Sequence, residues 1–332
     1  MDLNSNQLNK SNKPNNSRNS KNSDDFGVLL ISHGSSLPYA EETFKEIAKK
    51  YIAKTNYNTE VGYMKVAEPS ISKAIDNLLE KNNNITRIIA MPVFLAPGIH
   101  TNIDIPIILG LDPKEIDPRC PDGNYPKDHY LKSSESINFH GEIDLLESIG
   151  PDPMLIDIIN KRISSAIKES DKNISSKKTA ILLVSHGSRL KYNDEFITDV
   201  YNQYKAQTDY IVGQGFMELC KPTIAEAIDL ITKENHIERI IVVPVFLAPG
   251  VHTMRDIPTI LGILDEESNG VEKPSHSHSH THSHSHSHSH GHDHDHFHGG
   301  IIDFNGEILY TDPLGSDDFI VEIIKERIEK EI

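Results

Sequence analysis

Arg87–Gly110 reads RIIAMPVFLAPGIHTNIDIPIILG, and Arg239–Gly262 reads RIIVVPVFLAPGVHTMRDIPTILG. The two stretches agree at 18 of 24 positions, so the chain of 332 residues carries an internal repeat. Each opens on an apolar run with no polar alternation, the pattern of a parallel strand buried on both faces (Arg87–Phe94 in the first copy). A Pro-Gly turn follows, at Pro97-Gly98 and Pro249-Gly250, and is expected to aim the next histidine, His100 or His252, back over the sheet.

Working outward, the repeat extends in both directions. Ser32-His33-Gly34-Ser35 matches Ser185-His186-Gly187-Ser188, Pro69 matches Pro222, and Gly141-Glu142-Ile143 matches Gly306-Glu307-Ile308. The chain therefore divides into two copies, residues 26–168 and 179–332, joined by the polar linker 169–178. Residues 1–24 have the composition of a disordered tail. Each copy carries one insertion between its ILG and GEI motifs, at about Asp112–Ser136 and Asp265–Gly300.

Within the first copy, apolar runs at Phe26–Ser32, Val61–Met64, Arg87–Phe94 and Ile137–Leu145 predict strands. Helical spacing predicts helices over Tyr39–Lys54, Pro69–Lys81 (with Pro in the first turn) and Pro151–Lys168. The second copy repeats this order. Strand–helix alternation implies an α/β fold, with two similar doubly wound parallel-sheet domains of about four strands each.

Composition narrows the function. Hydrophobic residues make up 37% of the chain, enough for a core in each copy, and the net charge is −16. That balance argues against nucleic acid and against an anionic membrane surface as partners. Met1–Ser23 lacks the apolar core of a signal peptide. The longest apolar run, Ile240–Val251, is broken by two prolines and too short to span a bilayer. Cys120 and Cys220 belong to no CxxC pair, which fits a reducing cytoplasm, although a single disulfide between them stays open at this point. No GxxxxGK[ST] loop is present, so no nucleotide is expected.

In doubly wound sheets, ligands bind beyond the carboxyl ends of the strands. His33 and His186 directly follow the first predicted strand of each copy, and His100 and His252 follow the PVFLAPG strands. A lone histidine at a strand end is ordinarily a hydrogen-bonded structural residue. A pair recurring at matched positions in two diverged copies points to metal binding or proton transfer. Glu218 is a candidate third ligand, and Lys65 stands at its position in the first copy.

SHGS after the first strand, the F-x-E-x-x-x-P-x-I segment from Phe216, and PVFLAPG-x-H-T-x-x-D-I-P together resemble the sirohydrochlorin chelatases, the class II cobalt and nickel chelatases. The likeness covers both copies. It implies two chelatase-like domains facing across a cleft, and insertion of a divalent metal ion, cobalt or nickel, into sirohydrochlorin in cobalamin or related tetrapyrrole synthesis. Carried over, the metal and catalytic residues are His186, Glu218 and His252, with His33 and His100 in the first copy. Lys65 departs from the pattern, so the complete set is expected in the second copy. Sirohydrochlorin, taken from the resemblance, carries many carboxylates, and Arg189, Lys191 and Arg255 are candidates to pair with them. Phe94, Leu95, Phe246 and Leu247 are candidates either for ring packing or for the core.

The second insertion holds His276, His278, His280, His282, His284, His286, His288, His290, His292, His294, His296 and His298. An alternating tract of this kind builds no core and binds divalent ions with modest selectivity. It reads as an accessory metal arm. Two other readings stay open: an iron chelatase of sirohaem synthesis, and a metal-storage or metallochaperone protein that keeps the fold. Duplication lets one chain supply both cleft walls, as a monomer or as a homodimer.

Overall fold

The computed structural model describes residues 25–35, 38–188, 190–264 and 302–332. Arg189 and the twelve clustered histidines fall outside them. β1 (Phe26–Ser32), β2 (Thr59–Tyr63), β3 (Arg87–Pro92) and β4 (Glu142–Leu145) form a parallel sheet in the order β2-β1-β3-β4. β5 (Thr179–Ser185), β6 (Ile211–Phe216), β7 (Arg239–Pro244) and β8 (Glu307–Tyr310) repeat it as β6-β5-β7-β8. The expected pair of four-stranded doubly wound sheets is what the chain forms.

The unbroken apolar strands are explained by burial on both faces. Phe26, Val28 and Leu30 turn into one core, and Leu29 and Ile31 into another on the opposite side of the sheet. A solvated face would have required every second residue to be polar. The outer face of the first sheet is covered by α2 (Ile71–Lys81), and that of the second by α5 (Ile224–Glu234). Between the sheets lie α1 (Pro38–Lys54), α3 (Met154–Glu169), α4 (Lys191–Lys205) and α6 (Asp318–Glu329), which share one continuous core with both. On α1 the buried residues are Phe44, Ile47, Ala48 and Tyr51, one helical stripe.

The packing unit is not the sequence repeat. α3, the last helix of the first copy, packs on β7 and β8 of the second sheet. α6, the last helix of the second copy, packs on α1 and β3 of the first. Two arginines fasten the exchange. Arg162 on α3 donates to the carbonyls of Pro313 and Leu314 at 2.9 and 2.7 Å. Arg327 on α6 donates to those of Ser148 and Ile149 at 2.7 and 2.5 Å.

Several boundaries differ from the sequence reading by two to five residues, the helix read from Pro151 starting at Met154 and the strand read from Val61 starting at Thr59, and two of the shifts have a visible cause. The helix expected from Pro69 starts at Ile71, because Ser70 caps it by accepting from the Lys73 N–H at 3.2 Å. Pro69 stays ahead of the cap. The strand expected from Ile137 starts at Glu142, since Ile137 and Phe139 pack against the outer core instead of extending the ladder. Phe94, Leu95, Phe246 and Leu247 are partly buried and pack against the three cores. No helix among the described residues is long and apolar enough to cross a membrane.

Candidate functional site

In the order β2-β1-β3-β4 the chain reverses direction across the sheet between β1 and β3. The crevice at their carboxyl ends is therefore the expected ligand position. His33 and His100 stand at that place in the first half, and His186 and His252 in the second.

The loop after β5 is seated backbone against backbone on the loop after β6. Gly187 has φ +90°, and a Cβ there would lie 1.8 Å from the Glu218 carbonyl oxygen. Only glycine fits both the conformation and the approach. The Glu218 N–H donates to the His186 carbonyl at 3.1 Å, which sets Glu218 beside the histidine. Asn193 at the start of α4 holds the loop from the other side, its Oδ1 accepting from Gly187 N–H at 3.1 Å and Ser185 Oγ at 2.9 Å. The first half repeats the arrangement: Gly34 at φ +83° lies against the Lys65 carbonyl, and Lys65 N–H donates to the His33 carbonyl at 3.1 Å.

His252 opens a π-helical turn, His252–Asp256, in which its carbonyl accepts from Ile257 five residues on. Such turns are uncommon and concentrate at functional sites. Thr253 Oγ1 accepts from Gly250 N–H at 2.9 Å, and Tyr310 of β8 donates to the Thr253 carbonyl at 2.7 Å, so the turn is tied at both ends.

The proton positions on the imidazoles follow from their partners. His186 Nδ1 lies 3.0 Å from the Gly187 carbonyl oxygen, and His252 Nδ1 lies 2.8 Å from Asp256 Oδ2. Both partners accept, so each Nδ1 carries the hydrogen and each Nε2 presents its lone pair. His186 Nε2 is 3.2 Å from His252 Nε2 and 3.3 Å from Glu218 Oε1. The ring centroids are 4.7 Å apart, edge to face. His186 Nε2 thus meets both a second imidazole nitrogen and a carboxylate oxygen at a half-exposed opening. The set is loose: among the described residues no group of three or more His, Cys, Asp or Glu forms a ready-made metal cage.

The first half keeps the histidines and reverses the charge. His33 Nδ1 meets the Gly34 carbonyl at 2.7 Å, His100 Nδ1 meets Asp104 Oδ2 at 2.6 Å, and the rings stand 4.9 Å apart. Burial holds the His33 imidazole below its ordinary pKa, with the Lys65 ammonium adding to that. Lys65 lies 5.2 Å from the centre of the Tyr130 ring, where burial lowers its own pKa. Asp104 is fully buried; burial alone would raise its carboxyl, but bonds from His100, Arg119 and Tyr130 outweigh that and hold it low. Arg119, from the first insertion, bridges Asp104 and Asp117, donating to Asp117 Oδ2 at 2.8 Å. Asp117 is pulled down to about 2, first by Arg119 and then by Tyr125.

The remaining sequence candidates are dispersed. Lys191 is exposed and pairs with Glu195 at 3.3 Å. Arg255 is exposed and donates to Asp256 Oδ1 at 2.9 Å. Arg189 and the accessory histidines lie outside the described residues. Sequence reasoning passed over Asp104 and Asp256, although each sits four residues after a candidate histidine, a spacing that puts both on one face of a helical turn. The halves also meet beside the site, where Tyr192 of α4 donates to Glu115 of the first insertion.

Against known proteins, the sequence model of the CbiX family matches residues 27–166 and again 180–331. The chain belongs to the CbiX family, in tandem. A sirohydrochlorin cobaltochelatase of Methanothermobacter thermautotrophicus is 44% identical over 163 residues, which are 49% of this chain and 99% of that one. The sirohydrochlorin cobaltochelatase of Methanocaldococcus jannaschii is 48% identical over 149 residues, 45% of this chain and 96% of its own. In architecture the chain is similar to SirB from Bacillus subtilis with Fe3+, at a TM-score of 0.61 and 15% identity, over 92% of this chain and 95% of that one. One copy of the repeat thus corresponds to a whole chain of the methanogen relatives.

Proposed function

We propose that the protein inserts a divalent metal ion, cobalt in the first place, into sirohydrochlorin, and that the second half holds the ion. The observation that carries this is the contact between His186 Nε2 and His252 Nε2. At 3.2 Å two lone pairs face each other with Glu218 Oε1 alongside, which is unfavourable until something positive lies among them. Two nitrogens that far apart, each about 2.1 Å from one ion, subtend roughly 100° at it, near the tetrahedral angle. The names of the methanogen relatives favour cobalt over nickel or iron.

An ion held by three protein atoms on an open face keeps positions for water and for the incoming macrocycle nitrogens. As those nitrogens displace the protein ligands, His186, His252 and Glu218 become free to accept the two protons that leave the pyrroles. The divalent ion passes from the protein atoms to the macrocycle nitrogens and two protons pass the other way, so charge is conserved without redox chemistry or a nucleotide. Asp256 keeps the His252 proton on Nδ1 throughout. Arg255, Lys191 and Arg189 remain the candidates to pair with the substrate's carboxylates. The histidines from His276 to His298 supply ions to the site. One chain provides both walls of the cleft, so a monomer suffices. Cytoplasmic work is consistent with the free thiols Cys120 and Cys220.

The test is anaerobic insertion of cobalt, nickel and iron into sirohydrochlorin, followed by absorbance. Cobalt is expected to insert, with loss of turnover in His186→Ala/His252→Ala and in Glu218→Gln. Binding of several ions per chain without any insertion would replace this reading by metal storage.

A further inference from the structure

Among the described residues, Val66 and Leu219 are the only ones other than glycine with positive φ, at +70° and +65°. They occupy the same place in the two halves, each directly after the residue that faces the histidine pair. Each is the centre of a three-residue turn: Ala67 N–H donates to the Lys65 carbonyl at 2.8 Å, and Cys220 N–H to the Glu218 carbonyl at 2.7 Å. A γ-turn with positive φ at its centre is the rare and strained hand of that turn. Glycine would adopt it freely, whereas a β-branched residue is the least suited to it.

Packing does not compensate for the strain. Val66 is 70% exposed and Leu219 56% exposed, so neither side chain gains a place in the core. Met254, two residues after His252, is 55% exposed as well. Leu219 and Met254 thus flank Glu218 and His252 with bare apolar surface, and Val66 does the same beside Lys65. An apolar side chain kept in a strained turn and in water, twice, at the rim of the same kind of site, serves something other than stability.

We infer that Val66, Leu219 and Met254 grip the apolar face of the tetrapyrrole, Leu219 and Met254 beside the second-half histidine pair and Val66 beside the first-half pair. The inference rests on the chelatase reading, and it assigns these residues to the macrocycle and not to the metal. The turns aim their central side chains away from the protein because that is where the ring lies. The strain is tolerated because glycine at these positions would leave the ring without a lip.

Leu219→Gly, Val66→Gly and the double variant separate this from a structural role, because glycine relieves the strain. Thermal unfolding is expected at the same temperature or higher, while KM for sirohydrochlorin rises about tenfold in the double variant, as loss of buried aliphatic contact predicts. The metal concentration for half-maximal turnover is expected to stay the same. Met254→Ser is expected to raise KM in the same direction. An unchanged KM, whether the variants melt higher or lower, would overturn the inference while leaving the chelatase reading intact. Absence of insertion by the unaltered chain would overturn both, and is visible without any variant.

Discussion

His186 Nε2 and His252 Nε2 lie 3.2 Å apart with both Nδ1 hydrogens already donated, one to the Gly187 carbonyl and one to Asp256. The distance is that of a hydrogen bond, yet with both Nδ1 hydrogens turned away the two Nε2 lone pairs face each other. In the proposed function this contact is where the ion lies, and its geometry depends on the two groups that hold the rings from behind.

Asp256 accepts from two donors, His252 Nδ1 at 2.8 Å and Arg255 Nε at 2.9 Å. Asparagine has one accepting oxygen, so in Asp256→Asn one donor loses its partner or the imidazole changes tautomer and turns an N–H into the gap. Loss of such a partner behind a ligand costs about 10- to 100-fold in metal affinity. The metal concentration for half-maximal turnover should rise by that factor, with KM for the tetrapyrrole little changed. Equal metal dependence in variant and parent would show that Asp256 does not set the ring.

Lys65 separates the first half from the second. The Lys65 ammonium already disfavours positive charge on His33, and it would oppose a divalent ion beside that ring where Glu218 offers a carboxylate in the second half. His33 and His100 are otherwise arranged like their counterparts, with Nδ1 hydrogens donated and rings 4.9 Å apart. Lys65→Glu should therefore add one bound cobalt ion per chain, measured by equilibrium dialysis against the parent, so that ions held by other histidines cancel. No added ion would mean that the first-half pair is held in a geometry unsuited to metal.

What the sequence made legible was what depends on local chemistry. The strand Phe26–Ser32 was readable because burial on both faces leaves no polar residue in it. The histidines were readable because a repeated motif put them at strand ends. The helix exchange was not, since the apolar stripe of α3 is the same whichever sheet it covers. Arg119 was hidden because it reaches Asp104 from a long insertion whose path follows no periodic pattern. The turns at Val66 and Leu219 were hidden for the opposite reason. Positive φ is signalled by Gly or Asn, and both positions carry apolar side chains.

The exchange predicts where the halves are fastened. Arg162 and Arg327 each satisfy two backbone carbonyls on the other half, at 2.5 to 2.9 Å. Either arginine changed to alanine leaves those carbonyls unpaired at a shared core, at a cost of about 2 kcal/mol. A lower Tm by a few degrees is expected in both variants, in calorimetry of the full chain. Since the arginines fasten equivalent places, the two losses should be similar. A change in one variant alone would argue that the exchange is held from one side only.

The Asp117 carboxyl, held at about 2, makes part of the first half's order dependent on acid. Its folded pKa lies below the ordinary carboxylate value, so its contribution is complete above that value and is lost as pH falls towards 2. A shift of that size corresponds to about 2 kcal/mol. Asp117→Asn should be less stable than the parent by about that amount at neutral pH, and the gap should close as both are titrated from pH 5 to 2. A gap constant over that range would mean that the bond to Arg119 contributes through packing and not through charge. The consequence reaches the histidines, because Arg119 also holds Asp104, which holds His100 Nδ1 at 2.6 Å. Asp117 and the ring that stands opposite His33 are thus linked through one guanidinium.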